Sequence, residues 1–293
     1  FTSSILLTAN ITGFLVSYDF EKLKRSIPRV YKDSDRIFLA IDKEYRTWTG
    51  KKFSIPESFF EWIESIDIDK KIEFYRDDFY KPELNPIDND TRERQMLGEK
   101  MGLGNWIIQI DADEIFIDFS TFVKQLRSYD SYLNQPEKNK IQISGLLINI
   151  YKYLDNGFLY INDSTKFLVA TNYPNYKRAR NTRERVIYVE SYALHETLAR
   201  TEDELMYKIN NWGHKEEINS TFLEKWRIAN QNNYKELKDL FYLNPKDWKS
   251  LAYFPSLIVD DLSRDIRNNP SLKKSKFWFY KKNFGQWFKH LFK

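Results

Sequence analysis

Residues 105–116, NWIIQIDADEIF, set a largely apolar run against three acids in four positions. In an extended segment residues two apart project to the same side, so Asp111 and Asp113 address one ligand while Ala112 faces away. Like charges this close repel unless a cation or hydrogen-bond donors compensate. A hard ion such as Mg2+ or Mn2+ suits carboxylates and is shared easily with phosphate oxygens, so the expected chemistry is a cation seat that grips a diphosphate. The plainer alternative is a turn with solvated acids. The D-x-D spacing alone decides little, because it recurs at Asp33 and Asp35, Asp67 and Asp69, and Asp88 and Asp90. Those three pairs lie in polar connections, where caps and turn acids are ordinary; Asp111 and Asp113 alone follow an apolar strand.

The elements that must position these acids alternate. Residues 5–8, 36–41, 71–75 and 106–110 read as short strands. Between them, 14–26 and 56–66 have helical spacing, the first closed by Pro28 and the second opened by Pro56 and early acids. A third helix over 89–102 takes Asp90 as N-cap and Gly102 as its stop. This pattern predicts an α/β fold with a parallel, doubly wound sheet and helices on both faces. Such sheets bind ligands at the carboxyl ends of their strands. Thr8 and Asn10 are assigned to the first strand end, Asp42 to the second, and the acid pair to the fourth. Beyond 119 the alternation loosens into a helix over 121–128, a strand over 141–150, and shorter strands with basic loops over 156–191. Thr201 and Glu204 make a capping box for a helix over 201–211, and an amphipathic helix is expected over 221–240. The chain thus divides into a nucleotide-binding half at 1–118, an acceptor-binding half of the same domain at 119–215, and a helical C-terminal extension at 216–293.

At 293 residues, with 42% hydrophobic, 17% aromatic and 30% charged residues, disorder and an integral membrane protein are both excluded. The absence of cysteine removes disulfides, thiolate zinc sites and cysteine nucleophiles. No signal peptide and no 18-residue apolar span is visible, which points to the cytoplasm, and the start at Phe1 rather than Met leaves room for a removed upstream segment.

The order helix, arginine, glycine turn, strand and acids in RERQMLGEKMGLGNWIIQIDADE resembles the nucleotide-sugar domain of glycosyltransferases with the GT-A fold, family 2 above all. That resemblance implies an inverting, metal-dependent transfer of a sugar from a nucleoside diphosphate sugar, UDP favoured, to a glycan or lipid-linked acceptor such as a lipopolysaccharide precursor. It implies that Asp113 ligates Mn2+ or Mg2+ and that Asp111 lies near the ribose or a metal-bound water. Asp42 matches the acid that contacts the base, and Arg94 the nucleotide side of the pocket, with Thr8 and Asn10 lining it. The family pattern reads Arg-Asn in this helix, where the present chain has Arg94 and Gln95.

Three histidines, at 195, 214 and 290, leave few choices for a third metal ligand. The segment SYALHETLARTEDELMYKINNWGH is similar to family 2 members, in which a histidine from the far side of the site completes the metal shell. His195 is preferred over His214, because the intervening helix spans about 16 Å and both reach one ion only if the chain folds back. Asp163, Glu184, Glu190 and Glu196 remain open as the general base. The loop YKRARNTRER, 176–185, is basic enough to close over phosphates.

The tail at 273–293 mixes lysines with aromatic rings. It suits peripheral contact with an anionic membrane, placing the enzyme at the inner face, or equally a helix packed on the domain. No nucleic-acid motif accompanies it, and the oligomeric state is not readable. Two further readings stay open: a noncatalytic glycan- or membrane-binding module on this scaffold, and a metal-dependent nucleotidyltransferase.

Overall fold

The structure, a computed structural model, describes residues 8–211 and 221–288. Strands β1 (Asn10–Val16), β2 (Arg36–Asp42), β3 (Ile72–Asp77) and β4 (Trp106–Ile110) are parallel, in the order β3-β2-β1-β4. On β2, Ile37, Leu39 and Ile41 pack with helices α1 (Leu23–Tyr31) and α2 (Glu57–Ile66). Phe38 and Ala40 face the other side, against Leu97 and Met101 of α3 (Pro86–Met101). Strands covered on both faces read as continuous apolar runs, which is why RIFLAI and WIIQI stand out in the sequence.

The second half of the sheet is mixed. After β4 the chain turns into the three-residue β5 (Glu114–Phe116), then α4 (Phe119–Arg127) and a long antiparallel hairpin of β6 (Ile141–Leu154) and β7 (Gly157–Thr171). The end of β7 joins β4, while β8 (Arg185–His195) runs parallel to β6 and receives β5 antiparallel at its carboxyl end. Helices α5 (Glu202–Asn211) and α6 (Thr221–Ile228), strand β9 (Leu251–Phe254) on β7, and helices α7 (Leu262–Asn268) and α8 (Lys276–Trp287) follow. The α/β class expected from the alternation is the class found.

Several boundaries differ. Residues 1–7, most of the strand expected at 5–8, lie outside the described residues, and the first described strand covers 10–16, half of which reads as helix from its spacing. Gly13 decides this: a Cβ there would sit 2.9 Å from Leu97 Cδ2, so the strand lies close beneath α3. Pro28 lies inside α1 rather than closing a helix. The cap of α3 is Asn85, whose Oδ1 accepts from Asp88 N at 2.9 Å, and Asp90 lies a turn inside, buried. The short strands expected over 156–191 are two long ones. The helix expected over 221–240 ends at Ile228, because Asn230 Oδ1 accepts from the N–H groups of Asn232 (2.8 Å) and Asn233 (3.3 Å) and folds the chain into a turn.

Helix α3 also carries the loop between β7 and β8. Gln95 Oε1 accepts from Tyr176 N at 3.0 Å, Thr91 Oγ1 from Ala179 N at 2.7 Å, and Gly98 leaves room for Pro174. A Cβ on Gly98 would lie 2.5 Å from Pro174 Cβ, whereas one on Gly285, within α8, meets nothing within 4 Å. Gly→Ala inside a helix ordinarily stabilises by about 1 kcal/mol, but overpacking costs about 1–3 kcal/mol. Urea unfolding should therefore give opposite signs: a lower midpoint for Gly98→Ala and an equal or higher one for Gly285→Ala.

Candidate functional site

A cleft holding about 640 Å³ of space, part of it open to solvent, lies over the carboxyl ends of β1, β2 and β4. Its walls are Ser17 to Asp19 after β1, Asp42 and Arg46 to Trp48 after β2, Glu93 of α3, Asp111 to Asp113 after β4, and Lys208 and Asn211 of α5. The acids do not form an extended segment. Glu114 N donates to Asp111 O at 3.0 Å and Asp111 N to Glu114 Oε2 at 2.8 Å, closing a tight turn. The two aspartates therefore have separate partners instead of one shared side.

Asp111 faces arginines. Arg94 Nη2 donates to its Oδ1 at 2.8 Å, Arg180 Nη2 lies 3.7 Å from its Oδ2, and Arg94 is fixed from behind by Asp90 Oδ1 at 2.6 Å. Arg180 comes from the basic loop and also donates to Glu114 Oε2 at 2.6 Å and Gln109 O at 3.0 Å. Burial by itself would raise the Asp111 pKa; Arg180 and Arg94 outweigh it and bring the carboxyl down to about 2.

Asp113 is more deeply buried and faces the other half of the molecule. Its Oδ2 accepts from both Arg200 Nη2 and Lys208 Nζ at 2.6 Å, and Arg200 is shared with Asp19 Oδ2 at 3.0 Å. Burial opposes ionisation here too, yet Lys208, His195 and Arg200 hold Asp113 well below the ordinary carboxylate range. The strand register places His195 there: β5 pairs Glu114 with His195, and β6 pairs Asn149 with it on the other side.

That register fixes the histidine tautomer. Asn149 Nδ2 is directed at Thr165 Oγ1 (3.3 Å), leaving Asn149 Oδ1, an acceptor, 3.0 Å from His195 Nδ1, so Nδ1 carries the hydrogen. Burial, only partly offset by Asp113, lowers the His195 pKa and favours the neutral ring. Its Nε2 lone pair then lies 3.6 Å from Asp113 Oδ1, an acceptor facing an acceptor. This two-donor set of one carboxylate oxygen and one imidazole nitrogen fits a divalent cation, with Mn2+ better matched than Mg2+ to the nitrogen. Among the described residues no three His, Asp or Glu side chains converge on one ion position, so a bound ion would draw its remaining ligands from substrate or water.

The other anticipated residues scatter. Thr8 and Asn10 lie at the amino end of β1, opposite the cleft, where Asn10 N donates to Asp35 Oδ2 at 2.7 Å and Thr8 Oγ1 to Asp130 Oδ2 at 3.0 Å; their placement on the pocket is corrected by the later start of the strand. Asp42 does line the cleft, but it accepts from the backbone N–H groups of Glu44, Arg46, Phe79 and Tyr80 at 3.0–3.2 Å and is clasped by the Arg46 guanidinium. It builds the walls of that end. Of the candidate bases, exposed Asp163 pairs with Lys274 at 2.7 Å, Glu184 accepts from Asn175 Nδ2 at 2.8 Å, and Glu190 is exposed along β8. Glu196 is buried beside the site: its N–H donates to Asp113 O at 2.9 Å, but its carboxylate binds Lys22, Arg25 and Tyr153. None of the four lines the cleft. His214 lies outside the described residues.

Sequence reasoning passed over Asp19 and Trp48. Glu93, Arg180 and Arg200 appeared only inside longer segments, and Lys208 only as the lysine near the end of the capped helix. A lysine three residues after Leu205, on the buried face of α5, was the available signal for Lys208. Glu93 had none, being one more charged residue in a charged helix.

Fold and site together define an α/β protein with a charge-compensated acidic cleft at the carboxyl ends of its parallel strands. No family model and no curated protein matches the chain. Among solved structures it is similar to S. aureus TarS 1-349, at 10% identity and a TM-score of 0.26, over 48% of this chain and 35% of that one. The chain thus spans about a third of the structure it matches.

Two measurements probe the electrostatics. Burial, against the hydrogen bond from Trp48 Nε1 (2.7 Å), raises Glu93 to about 8 from 4.5. The folded protein then keeps a proton that the unfolded chain releases, so this group lowers stability progressively from pH 4.5 to about 8 and has no effect below that window. Urea unfolding from pH 6.5 to 8 should show wild type losing about 2 kcal/mol relative to Glu93→Gln. Separately, Asp113→Asn takes from Lys208 and Arg200 the buried carboxylate they share, leaving Arg200 only its bond to Asp19, and should cost about 3–5 kcal/mol, of which adding Lys208→Met restores a measurable part.

Proposed function

We propose that the protein is a glycosyltransferase that takes its sugar from a nucleoside diphosphate sugar and passes it to a hydroxyl of a glycan or lipid-linked acceptor. The observation that carries this reading is the Asp111 to Asp113 turn in a cleft at the carboxyl ends of parallel strands, with cationic side chains around both carboxylates. The sequence resemblance of that turn and its preceding helix to GT-A enzymes points the same way. A departing diphosphate needs positive charge placed in advance in a site of low dielectric. Lys208 lines the cleft, and Arg200, Arg94 and Arg180 stand directly behind the acids.

Asp113 Oδ1 and His195 Nε2 would hold the metal, which when bound supplies Lewis-acid stabilisation of the leaving diphosphate. Asp113 and His195 orient one another through the β5–β8 pairing, and Asn149 keeps the imidazole nitrogen facing the site unprotonated. Trp48 and Tyr18 give the cleft aromatic wall residues. UDP is the favoured nucleotide and inversion the favoured stereochemistry, both on the resemblance alone.

Calorimetric titration with UDP and GDP, with and without Mn2+, tests the proposal. Wild type should bind one nucleoside diphosphate in a Mn2+-dependent manner, and His195→Gln should weaken that binding about tenfold to a hundredfold. Absence of binding to either nucleotide under both conditions overturns the reading. Incubation with a panel of sugar nucleotides separates transferases, since release of nucleoside diphosphate fits this proposal and release of pyrophosphate identifies a nucleotidyltransferase.

A further inference from the structure

Helix α8 meets the protein through a mixed side, Trp278, Phe279, Asn283 and Gln286, and leaves a second set of aromatic residues facing out. Strand β8 is paired with β6 over 185–188, and its other edge is not covered by β5 there, because β5 pairs with β8 only over 193–195. Polar side chains of α8 satisfy that edge. Asn283 accepts from Tyr188 N at 2.7 Å and donates to Tyr188 O at 3.0 Å, and Gln286 Oε1 accepts from Val186 N at 3.2 Å. Trp278 meets Tyr188 edge-on at 5.6 Å on the same side.

At 100° per residue, Phe277, Tyr280, Phe284 and Trp287 fall within an arc of about 80°, centred about 140° from Gln286 and about 80° from Asn283, with Trp287 at the edge nearer the anchor. These four are 71%, 65%, 54% and 63% exposed, and no residue of the helix is buried. An apolar stripe on a helix ordinarily packs inward. Here it is left facing out by a helix already anchored through another side, and such a surface marks an interaction site.

Charge selects the occupant. From Ser271 to Lys293 the sequence holds seven lysines and no acid. Lys281 and Lys276 flank the stripe on its two sides, and Arg185 adds a guanidinium 4.3 Å over the Trp287 ring. Rings that settle at the level of lipid headgroups, bordered by lysines that meet lipid phosphates, are the two components of interfacial binding. Among the described residues no helix is long and apolar enough to cross a membrane, so the contact is one of surface seating.

We propose that the outward face of α8, Phe277, Tyr280, Phe284 and Trp287 with the lysines beside them, seats the protein on the headgroup layer of an anionic lipid bilayer. The α8 anchor and the acid turn lie at opposite ends of β8: α8 grips the strand at Val186 and Tyr188, and His195 ends it seven residues on, about 23 Å away at 3.3 Å per residue.

Flotation of the full chain with vesicles tests this without reference to the cleft. Phosphatidylcholine vesicles are compared with vesicles of equal parts phosphatidylcholine and phosphatidylglycerol. Wild type should rise with the anionic vesicles, stay behind with the neutral ones, and detach at high salt. Phe277→Ser/Tyr280→Ser/Phe284→Ser and, separately, Lys276→Glu/Lys281→Glu should each reduce the bound fraction about tenfold or more, with unchanged circular dichroism and thermal midpoint. Ile68→Ser, an exposed apolar residue elsewhere, should bind as wild type does. Three results overturn the proposal: wild type that never rises, a serine variant that binds like wild type, or a serine variant that turns a dimer into a monomer with lipid binding intact, which would assign the stripe to a second copy.

Discussion

Asp113 is a carboxylate removed from water at the end of a buried strand, and the arrangement around it follows from the need to keep it ionised there. Desolvation of such a group costs several kcal/mol, and removing one partner of a buried pair leaves an uncompensated charge. Two full hydrogen bonds from cations, at 2.6 Å each, answer that cost on one oxygen. The second oxygen is left facing a histidine nitrogen. One side of the carboxylate is thereby fixed to the scaffold, and the other is the side on which the proposed metal would be held. A site that must hold an ion in a set position needs this asymmetry, since a carboxylate satisfied on both oxygens has nothing to offer and an unsatisfied one would protonate.

The acid turn is also the joint between the two halves of the sheet. Asp111 is tied to α3 through Arg94, on the parallel side, and Asp113 to α5 and β8 through Lys208 and His195, on the mixed side. Glu114 closes the joint: its side chain receives Asp111 N and Arg180, and its backbone pairs with His195. A charged pair about 4 Å apart near a protein surface is worth about 4 kcal/mol of Coulomb energy before desolvation is subtracted, so rearrangement on one side of the turn is felt on the other. A ligand carrying negative charge into the cleft competes with Asp111 and Asp113 for the same cations. If the proposed diphosphate binds there, it does so by an exchange of partners within a preformed cluster, meeting cations that the acids already hold in place.

The parallel half of the fold was legible in the sequence because both its faces are buried: 37–41 is wholly apolar, 106–110 is apolar but for Gln109, and helices 56–66 and 89–102 carry strong start or stop signals. The first strand was not. NITGFLV has a glycine at its centre and runs straight into a segment whose apolar spacing continues at helical intervals, so period alone pointed to helix, and only the close approach of Leu97 and Met101 to Gly13 reveals the strand. That error moved the expected ligand end to Thr8 and Asn10, at the wrong edge of the sheet. The long helix expected after 221 failed for a local reason, asparagine side chains bonding to the backbone ahead of them, which the composition IANQNN contains but amphipathic spacing outweighed.

The four D-x-D pairs show why the acids of the site were legible and their partners were not. Asp35 accepts from Asn10 N, Asp33 from Ser120 Oγ, and Asp67 from Lys71 N and Ile72 N, each fixing a turn by a bond to a nearby or facing element. Asp88 is exposed in the first turn of α3, and Asp90 is spent on Arg94. Only after a buried strand does a pair of acids lack local backbone to satisfy it and have to draw charge from elsewhere, and the apolar run that signals the burial is adjacent in sequence. The charges it draws are not adjacent: Arg180, His195, Arg200 and Lys208 arrive from 66 to 95 residues downstream, through a strand register that no local pattern specifies. A buried acid announces that counter-charges must exist, while their identity is set by the pairing of β5 with β8, so the chemistry of such a site is readable one shell inward from where its specificity is decided.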